Sequence, residues 1–478
     1  MRTAQRLTVP IQLDRDLPEP LQAQLTAQLR DAIRAGRLAP RTRMPSTRTL
    51  AAVLGVSRGV VLAAYERLLA DGSVEGRHGS GTYVAGSEPA PPDDRPPPPG
   101  DLIDLRRELP STQAFPLAAW RAAWRRAGHQ APPADEPPPG GLPELRAAIA
   151  AYLREARGLV LDRHEILVAA GQDEALELLL RGRGRGRPPV IALEDPAPPQ
   201  LRAAYARLGT VLPLPADGMG ARPDLVPRGC DVVAVLPERG TPLGTRLPLQ
   251  RRRALAAWAR RSGGLVIEPA FDGLFDAGVN PLPSVLAAGA GDGAAMVGTF
   301  RDVLTPSLRL AFAVAPRQRP AGPPEEGGGP GQASHTCQLA VADLLASGAV
   351  ARRAARLTGQ YAAKRALVRQ ALAAYPGIRL LGAGSGASAT LLLPDEVEAR
   401  AVLGALRERR VAVAELSAFY QRRGGMHVLR NGLVLHYGHL DGVTLRRALR
   451  VLTRTLGTHR PGSGTAAWPE PDGRRTVA

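Results

Sequence analysis

The chain has 478 residues, more than one ordinary domain, and 44% of them are hydrophobic, which excludes global disorder and predicts two or three folded units. No apolar run reaches the length of a membrane span and the opening MRTAQRLTVPIQLDRD holds no signal-peptide core, so a soluble cytoplasmic protein is expected. The two cysteines, Cys230 and Cys337, exclude a disulfide framework and a cysteine-rich zinc site, while a net charge of +18 points to a polyanionic partner, carried almost wholly by arginine: Lys364 is the only lysine.

Leu21, Leu25, Leu29 and Ile33 recur every four residues and Gly36 ends the run, which predicts an amphipathic helix. Pro45-Ser46 opens a short helix, TRTLAAVL, closed by Gly55. Ser57 caps a third, in which Val61, Ala64 and Leu68 form the stripe to be buried. The tight Gly55-Val56 turn joins the second and third helices as a helix-turn-helix. Two short strands then flank a glycine-rich tip that holds Arg77, His78 and Gly79, completing a winged helix-turn-helix. Its third helix would enter a major groove N-terminus first, with the wing along the backbone. A protein-binding winged helix is the bland alternative.

Residues 87–100 read SEPAPPDDRPPPPG, seven prolines in fourteen residues, and should form a stiff, extended linker. Beyond it, VIAL (190–193), DVVAVL (231–236), GLVIE (264–268) and MVGTF (296–300) read as buried strands. They alternate with amphipathic stretches such as 249–261, which predicts a parallel α/β sheet covered by helices on both faces. From about residue 351 a helix, further strands and a last helix (444–456) suggest a smaller α+β unit, followed by a disordered tail. The expected boundaries are 11–86 for the winged helix-turn-helix, 87–100 for the linker, 101–348 and 349–458 for the large and small domains, and 459–478 for the tail.

The run from Leu38 to Val84 resembles the DNA-binding domain of GntR-type regulators, down to the G-S-G-T of the wing. The resemblance places DNA contacts at Arg43, Ser46, Arg48, Ser57, Arg58 and Gly79, with Arg77 and His78 in the wing. Arginines there suit phosphate anchoring and bidentate guanine contacts, and the serines present helix N-termini to phosphate. Residues 1–86 hold 12 basic and 7 acidic residues, a net of only +5. The DNA reading therefore rests on the motif and not on bulk charge.

The remainder resembles a fold-type-I aminotransferase domain, in the order found in MocR/PdxR-like GntR regulators. The resemblance rests on GGLPELRAAIAAYLREARG (140–158), LEDP (193–196), Pro237, Pro242 and Gly244, GTFRDVLTPSLRLAF (298–312) and NGLVLHYGHL (431–440). It implies pyridoxal phosphate held as an imine by a lysine. Asp302 occupies that lysine position, and Lys364 lies in AAKRALVRQAL, where it reads as a solvated charge on an exposed helical face. Pro269 stands for the acid at the pyridine nitrogen, Phe271 for a nearby phenol, Pro198 for the stacking tyrosine and Arg239 for a histidine. Asp173 and Glu174 put negative charge at the helix N-terminus that would receive phosphate. An imine requires a primary amine, so no catalytic residue and no pyridoxal phosphate cofactor are expected.

Arg309 matches the family's phosphate-binding arginine, with Arg239 and Arg301 as basic neighbours. Two readings follow: an anion pocket for a small acidic effector, or a dead cavity in which Asp302 pairs with those arginines and the domain only dimerises. The resemblance also implies a homodimer on a repeated or palindromic double-stranded operator. The functional expectation is a DNA-binding transcriptional regulator and not an enzyme, against the alternative of a pyridoxal-phosphate-dependent aminotransferase or a regulator responsive to that cofactor.

Weaker signals carry bland readings. Arg181–Arg187 (RGRGRGR) reads as a solvated loop with phosphate contact as its alternative. His436 and His439 lack the carboxylate or cysteine companions of a metal site. Cys230 and Cys337 read as buried neutral thiols, and Asp272 with Glu268 makes a weak catalytic pair.

Overall fold

The computed structural model describes residues 11–85 and 102–459, apart from 16–18, 35–36, 39–41, 72, 78–80, 114, 132, 136–137, 139, 185, 271–281, 318–332, 376 and 422–430. The expected linker and tail, the wing tip and Phe271 and Asp272 lie outside the described residues. Two compact units divide between Pro96 and Pro97.

In the first unit α1 (Leu21–Arg34), α2 (Thr47–Leu54) and α3 (Arg58–Ala70) pack together, and β1 (Val74–Arg77) pairs antiparallel with β2 (Gly81–Val84). Gly55 closes α2 in the left-handed conformation at φ 62°, which a side chain would strain. Leu25, Leu29, Leu50, Val61, Ala64 and Leu68 are almost wholly buried, so the predicted stripe is the core. Removing such a leucine from water contributes about 1.5–3 kcal/mol. Tyr65 donates its buried hydroxyl to the Pro45 carbonyl at 2.9 Å and so pins α3 to the start of α2.

The second unit begins with β3 (Ile103–Asp104), α4 (Leu117–His129) and α5 (Pro143–Arg157). An αβ succession follows: β4 (His164–Ala169), α6 (Gln172–Leu180), β5 (Val190–Asp195), α7 (Pro199–Leu208), β6 (Thr210–Asp217), β7 (Gly220–Ala221), β8 (Val232–Ala234), α8 (Leu249–Ser262), β9 (Leu265–Pro269), β10 (Ala294–Thr299) and β11 (Ala311–Pro316). These strands form one eight-stranded sheet in the order β4-β11-β10-β9-β8-β5-β6-β7. The run β10-β9-β8-β5-β6 is parallel, and β11 runs against both its neighbours. The four predicted strand segments become β5, β8, β9 and β10. Apolar clusters lie on both faces of the sheet, as continuous hydrophobic strands require.

Strand β6 was not among the expected strands, and it contains Pro213 and Pro215, which a strand ordinarily avoids. They are tolerated since β6 is bonded along its length only to β5, while β7 pairs with just Ala216 and Asp217. The C-terminal part holds α9 (His335–Ala346), the 24-residue α10 (Ala349–Leu372), β12 (Arg379–Leu381), β13 (Ser388–Leu392), α11 (Ala399–Glu408), β14 (Val411–Ala412), β15 (Ala414–Glu415), β16 (Gly432–His436) and α12 (Gly442–Thr458). Here β12-β13-β16-β15 form a second, antiparallel sheet. Strand β14 pairs instead with β3, which ties residues 103–104 to the far end of the chain. Among the described residues no helix is long and apolar enough to cross a membrane.

Candidate functional site

In the first unit Arg48 and Arg58 lie in the first turns of α2 and α3. Ser46 caps α2 by accepting from Thr49 N at 3.1 Å, and Ser57 caps α3 by accepting from Val60 N at 3.4 Å. Arg58, at the first position of α3, reaches back to Thr47 Oγ1 at 3.3 Å, which brings the two helix N-termini side by side. Arg43, Ser46, Arg48, Ser57 and Arg58 are all exposed, and none of the three arginines has an acidic partner among the described residues. Arg43 is bridged through its backbone to Tyr83 of β2, so the wing strand and the helix starts lie on adjoining chain. Arg77 belongs to β1; the placement of His78 and Gly79 lies outside the described residues. Two dipole-positive helix ends thus lie beside guanidinium groups that have no acidic partner among the described residues, an arrangement that suits an anion.

The second unit holds a cleft of about 1490 Å³ at the carboxyl ends of the parallel strands. That is where open α/β sheets place ligands. Its walls include Ala170–Glu174 after β4, Pro198 after β5, Arg239 after β8, Pro269 at the end of β9, Arg301 and Asp302 after β10, and Arg309 before β11. The sequence-predicted Pro198, Arg239, Pro269, Arg301, Asp302 and Arg309 are thus brought together.

The charges inside mostly face one another. Arg301 donates to the Glu108 carbonyl at 2.7 Å and lies 3.8 Å from Asp302 Oδ1. Arg239 lies 3.7 Å from Glu108 Oε1. Arg309, exposed and in the left-handed region at φ 47°, has no hydrogen bond or ion pair among the described residues. Of the three expected effector arginines, Arg239 is largely buried, Arg301 is exposed but faces Asp302, and Arg309 is exposed with no acid opposite it among the described residues. Asp302 sits deep, yet 44% of its side chain is open to the cleft. Desolvation pushes its carboxyl up to about 6; the charge of Glu108 adds to the rise and Arg239 and Arg301 oppose it. Desolvation would also raise Glu108, but His436, Arg239 and Arg301 outweigh it and hold Glu108 below the usual carboxylate range.

At the start of α6, the Glu174 carboxylate accepts from Ala170 N at 2.6 Å, and Asp173 pairs with Arg207. The helix end that would greet a phosphate is filled by its own acid. Pro269 offers no carboxylate to a ring nitrogen, and the neighbouring Glu268 is 1% exposed, accepts from Leu286 N at 3.2 Å and is raised by burial.

Lys364 corrects the expectation of a solvated charge. It is 5% exposed, donates to the Gly438 carbonyl at 2.7 Å and rests over the Tyr361 ring. Burial lowers its pKa to about 8, with Asp441 opposing the fall and Arg353 adding to it. It belongs to a row on α10. Arg353, wholly buried, donates to the carbonyls of Ser111, Gln113 and Val303, and Arg365 donates to Gly386 at 2.8 Å. These cations satisfy backbone acceptors behind the cleft, and Lys364 does not line it.

Other expectations resolve as follows. Arg187 pairs with Asp231 and Arg183 is half-buried with its pKa lowered by burial, so the RGRGRGR loop is only partly solvated. Cys230 and Cys337 are buried thiols, each pushed up to about 11 by desolvation. No metal-binding group of His, Cys, Asp and Glu occurs among the described residues. Sequence reading missed Glu108 and Tyr361, which no motif marks. It weighed His436 only as a metal ligand.

Residues 21–84 match the family described as bacterial regulatory proteins, gntR family. The chain is 35% identical over 452 residues to the HTH-type pyridoxine biosynthesis transcriptional regulator PdxR of Corynebacterium glutamicum, covering 92% of this chain and 97% of that one. It is 31% identical to the probable rhizopine catabolism regulatory protein MocR of Rhizobium meliloti, covering 92% and 94%. Among solved structures it resembles the multiple substrate aminotransferase of Thermococcus profundus, with a TM-score of 0.63 at 18% identity over 75% of this chain and 92% of that one. An alpha-aminoadipate aminotransferase of Thermus thermophilus gives a TM-score of 0.58 at 24% identity over 75% and 92%. At these identities the structures establish the fold of the second unit alone.

Proposed function

We propose, from the premise that this chain belongs to the MocR/PdxR-like branch of the GntR DNA-binding transcriptional regulators, that its aminotransferase-like unit senses a small acidic effector noncovalently and pairs two copies on an operator. The single observation that carries this reading is Arg309, an open guanidinium with no partner among the described residues, on the wall of a cleft of about 1490 Å³. A dead cavity would be expected to collapse or to pair its charges completely.

DNA contact falls to Arg43, Ser46, Arg48, Ser57 and Arg58, with Arg77, His78 and Gly79 in the wing. Exposed guanidinium groups at two helix starts suit phosphate and guanine edges. A homodimer would present two such heads to a repeated or palindromic site.

The cleft residues do not fit pyridoxal phosphate as a covalent group. Among the described residues no primary amine lines the cleft, Glu174 fills the phosphate end, and Pro269 stands where an acid would meet the ring nitrogen. On this reading the protein is not a transaminase.

The test has two arms. Operator affinity is measured by fluorescence anisotropy with succinate or glutarate, for the native protein and for Arg309→Ala. The dicarboxylate is expected to shift native affinity and to leave Arg309→Ala unmoved; an unchanged response in the variant overturns the pocket. Borohydride treatment in the presence of pyridoxal phosphate is expected to leave no 1:1 adduct, and a stoichiometric adduct on Lys364 would overturn the noncovalent reading.

A further inference from the structure

The cleft has a side chamber that its arginines do not explain. Glu108, Arg239, Asp302, Tyr361, Ser388 and His436 help to enclose a pocket of about 30 Å³ that shares the Glu108, Arg239 and Asp302 walls with the main cleft. A cavity of that size has room for a water molecule or a small head group.

Two of its walls are carboxylates and a third is an imidazole. The carboxylates of Glu108 and Asp302 face arginines only at 3.7 Å and 3.8 Å, beyond hydrogen-bond range, and neither accepts a hydrogen bond among the described residues. His436 is 5% exposed, and its Nδ1 has no hydrogen-bond partner. Burial lowers its pKa, with Glu108 opposing and Arg239 assisting, which favours the neutral ring; with the proton on Nε2, Nδ1 is an acceptor. An orphaned, buried ring nitrogen beside two carboxylates that are open to the cleft and accept no hydrogen bond among the described residues suits a donor-rich visitor.

We infer that this chamber is a seat for a primary ammonium group, held by Asp302, Glu108 and His436. Such a head has three N–H donors and no acceptor, the complement of this lining. A bare metal ion is the poorer occupant, because no set of His, Cys, Asp and Glu among the described residues is placed to hold one. A second carboxylate would meet the repulsion of Glu108 and Asp302. Among the described residues Arg239 is the one cation of the lining, and it is packed against the wall: a methyl added at Gly386 would meet its Nη1 at 2.2 Å. With both acids charged, Glu108 and Asp302 cancel Arg239 and Arg301, so a zwitterion enters without changing the balance.

This rests on the reading that the cleft takes an effector and names that effector's second end: an amine in the chamber, with the acid toward Arg309. It also gives binding a pH dependence. The groups that face Asp302 are Glu108, Arg239, Arg301 and Tyr361, and its carboxyl gains a proton as pH falls through about 6. The seat then loses charge, and affinity for the amine declines while affinity for the acid end does not.

Isothermal titration of the full chain with pentanoate, pentylamine and 5-aminopentanoate tests the seat. The amino acid is expected to bind at least about tenfold more tightly than pentanoate. Asp302→Asn, or Glu108→Gln should that variant misfold, removes this advantage and leaves pentanoate within about twofold. Equal binding of pentanoate and 5-aminopentanoate, unchanged in Asp302→Asn, means that the chamber holds water only and overturns the seat, with the acid effector left standing. Binding of pentylamine that is lost in Asp302→Asn supports the seat even if pentanoate gives no heat, a result that sinks the acid effector instead. No binding by any of the three overturns both.

Discussion

The reading head and the cleft use arginine in opposite ways. Arg48 and Arg58 stand exposed at helix starts and Arg43 just before one, and among the described residues their only side-chain bond is from Arg58 to a neutral threonine. In the cleft Arg239 and Arg301 face Glu108 and Asp302, and behind it Arg353 and Arg365 are consumed by backbone carbonyls. A cation that awaits an outside phosphate has to stay unopposed, and short local patterns set its position. A cation that serves its own fold is recognised only through partners brought from distant sequence. Net charge does not separate the two; the presence of an internal acceptor does.

The contrast can be broken at several points. The largest effect is expected from Arg353→Ala, which strands the carbonyls of Ser111, Gln113 and Val303 and should cost on the order of 3 kcal/mol of stability. Urea unfolding measures it, and a loss below about 1 kcal/mol would show that this buried cation is dispensable. Next in size, Arg58→Ala should weaken operator binding about 5- to 150-fold at fixed salt. Arg301→Ala, tested without effector, should leave binding unmoved; equal losses in the two variants would erase the distinction between unopposed arginines and those that face an acid.

Lys364 sharpens the comparison through pH. Its folded pKa, near 8, lies below the ordinary 10.5, so between those values the unfolded chain binds more protons than the native one. Stability from this group is therefore lost below about pH 8 and rises toward pH 10.5, by on the order of 1–3 kcal/mol. Urea midpoints across that range should climb for the native protein and climb less for Lys364→Met; identical slopes would return Lys364 to the surface. The smallest change is expected from Glu174→Gln, which keeps an acceptor for Ala170 N but removes charge from the start of α6. A loss of about 0.3–1 kcal/mol in thermal unfolding is expected, and a gain would mean that the acid strains this helix end.

The sequence carried the reading head almost completely. The Ser46 and Ser57 caps, the Gly55 turn and the Val61, Ala64 and Leu68 stripe are local signals, and local physics decides them. The strands β5, β8, β9 and β10 were legible for the same reason. Strand β6 was not, since nothing in TVLPLPAD says that its prolines lie beside a nearly bare edge. The cleft was legible in outline, through the resemblance that gathered Arg239, Asp302 and Arg309. Its electrostatics were not, because Glu108 arrives from the segment after β3, whose pairing with β14 no spacing reveals. Lys364 was misjudged for a related reason: in an arginine-rich helix the polar face looks solvated, and only the Gly438 carbonyl shows that part of it is buried.

That single buried lysine has a practical consequence. Amine-directed reagents, such as succinimidyl esters, acetyl donors and lysine-reactive cross-linkers, find just one side-chain target in the whole chain, and in the native fold it is sealed between α10 and the segment after β16. Apart from the amino terminus, the folded protein is close to inert toward them. Labelling of Lys364 therefore marks the opening of that seam, so the rate at which it is tagged gives a one-site clock for local unfolding of the second unit, read by mass spectrometry without an added probe.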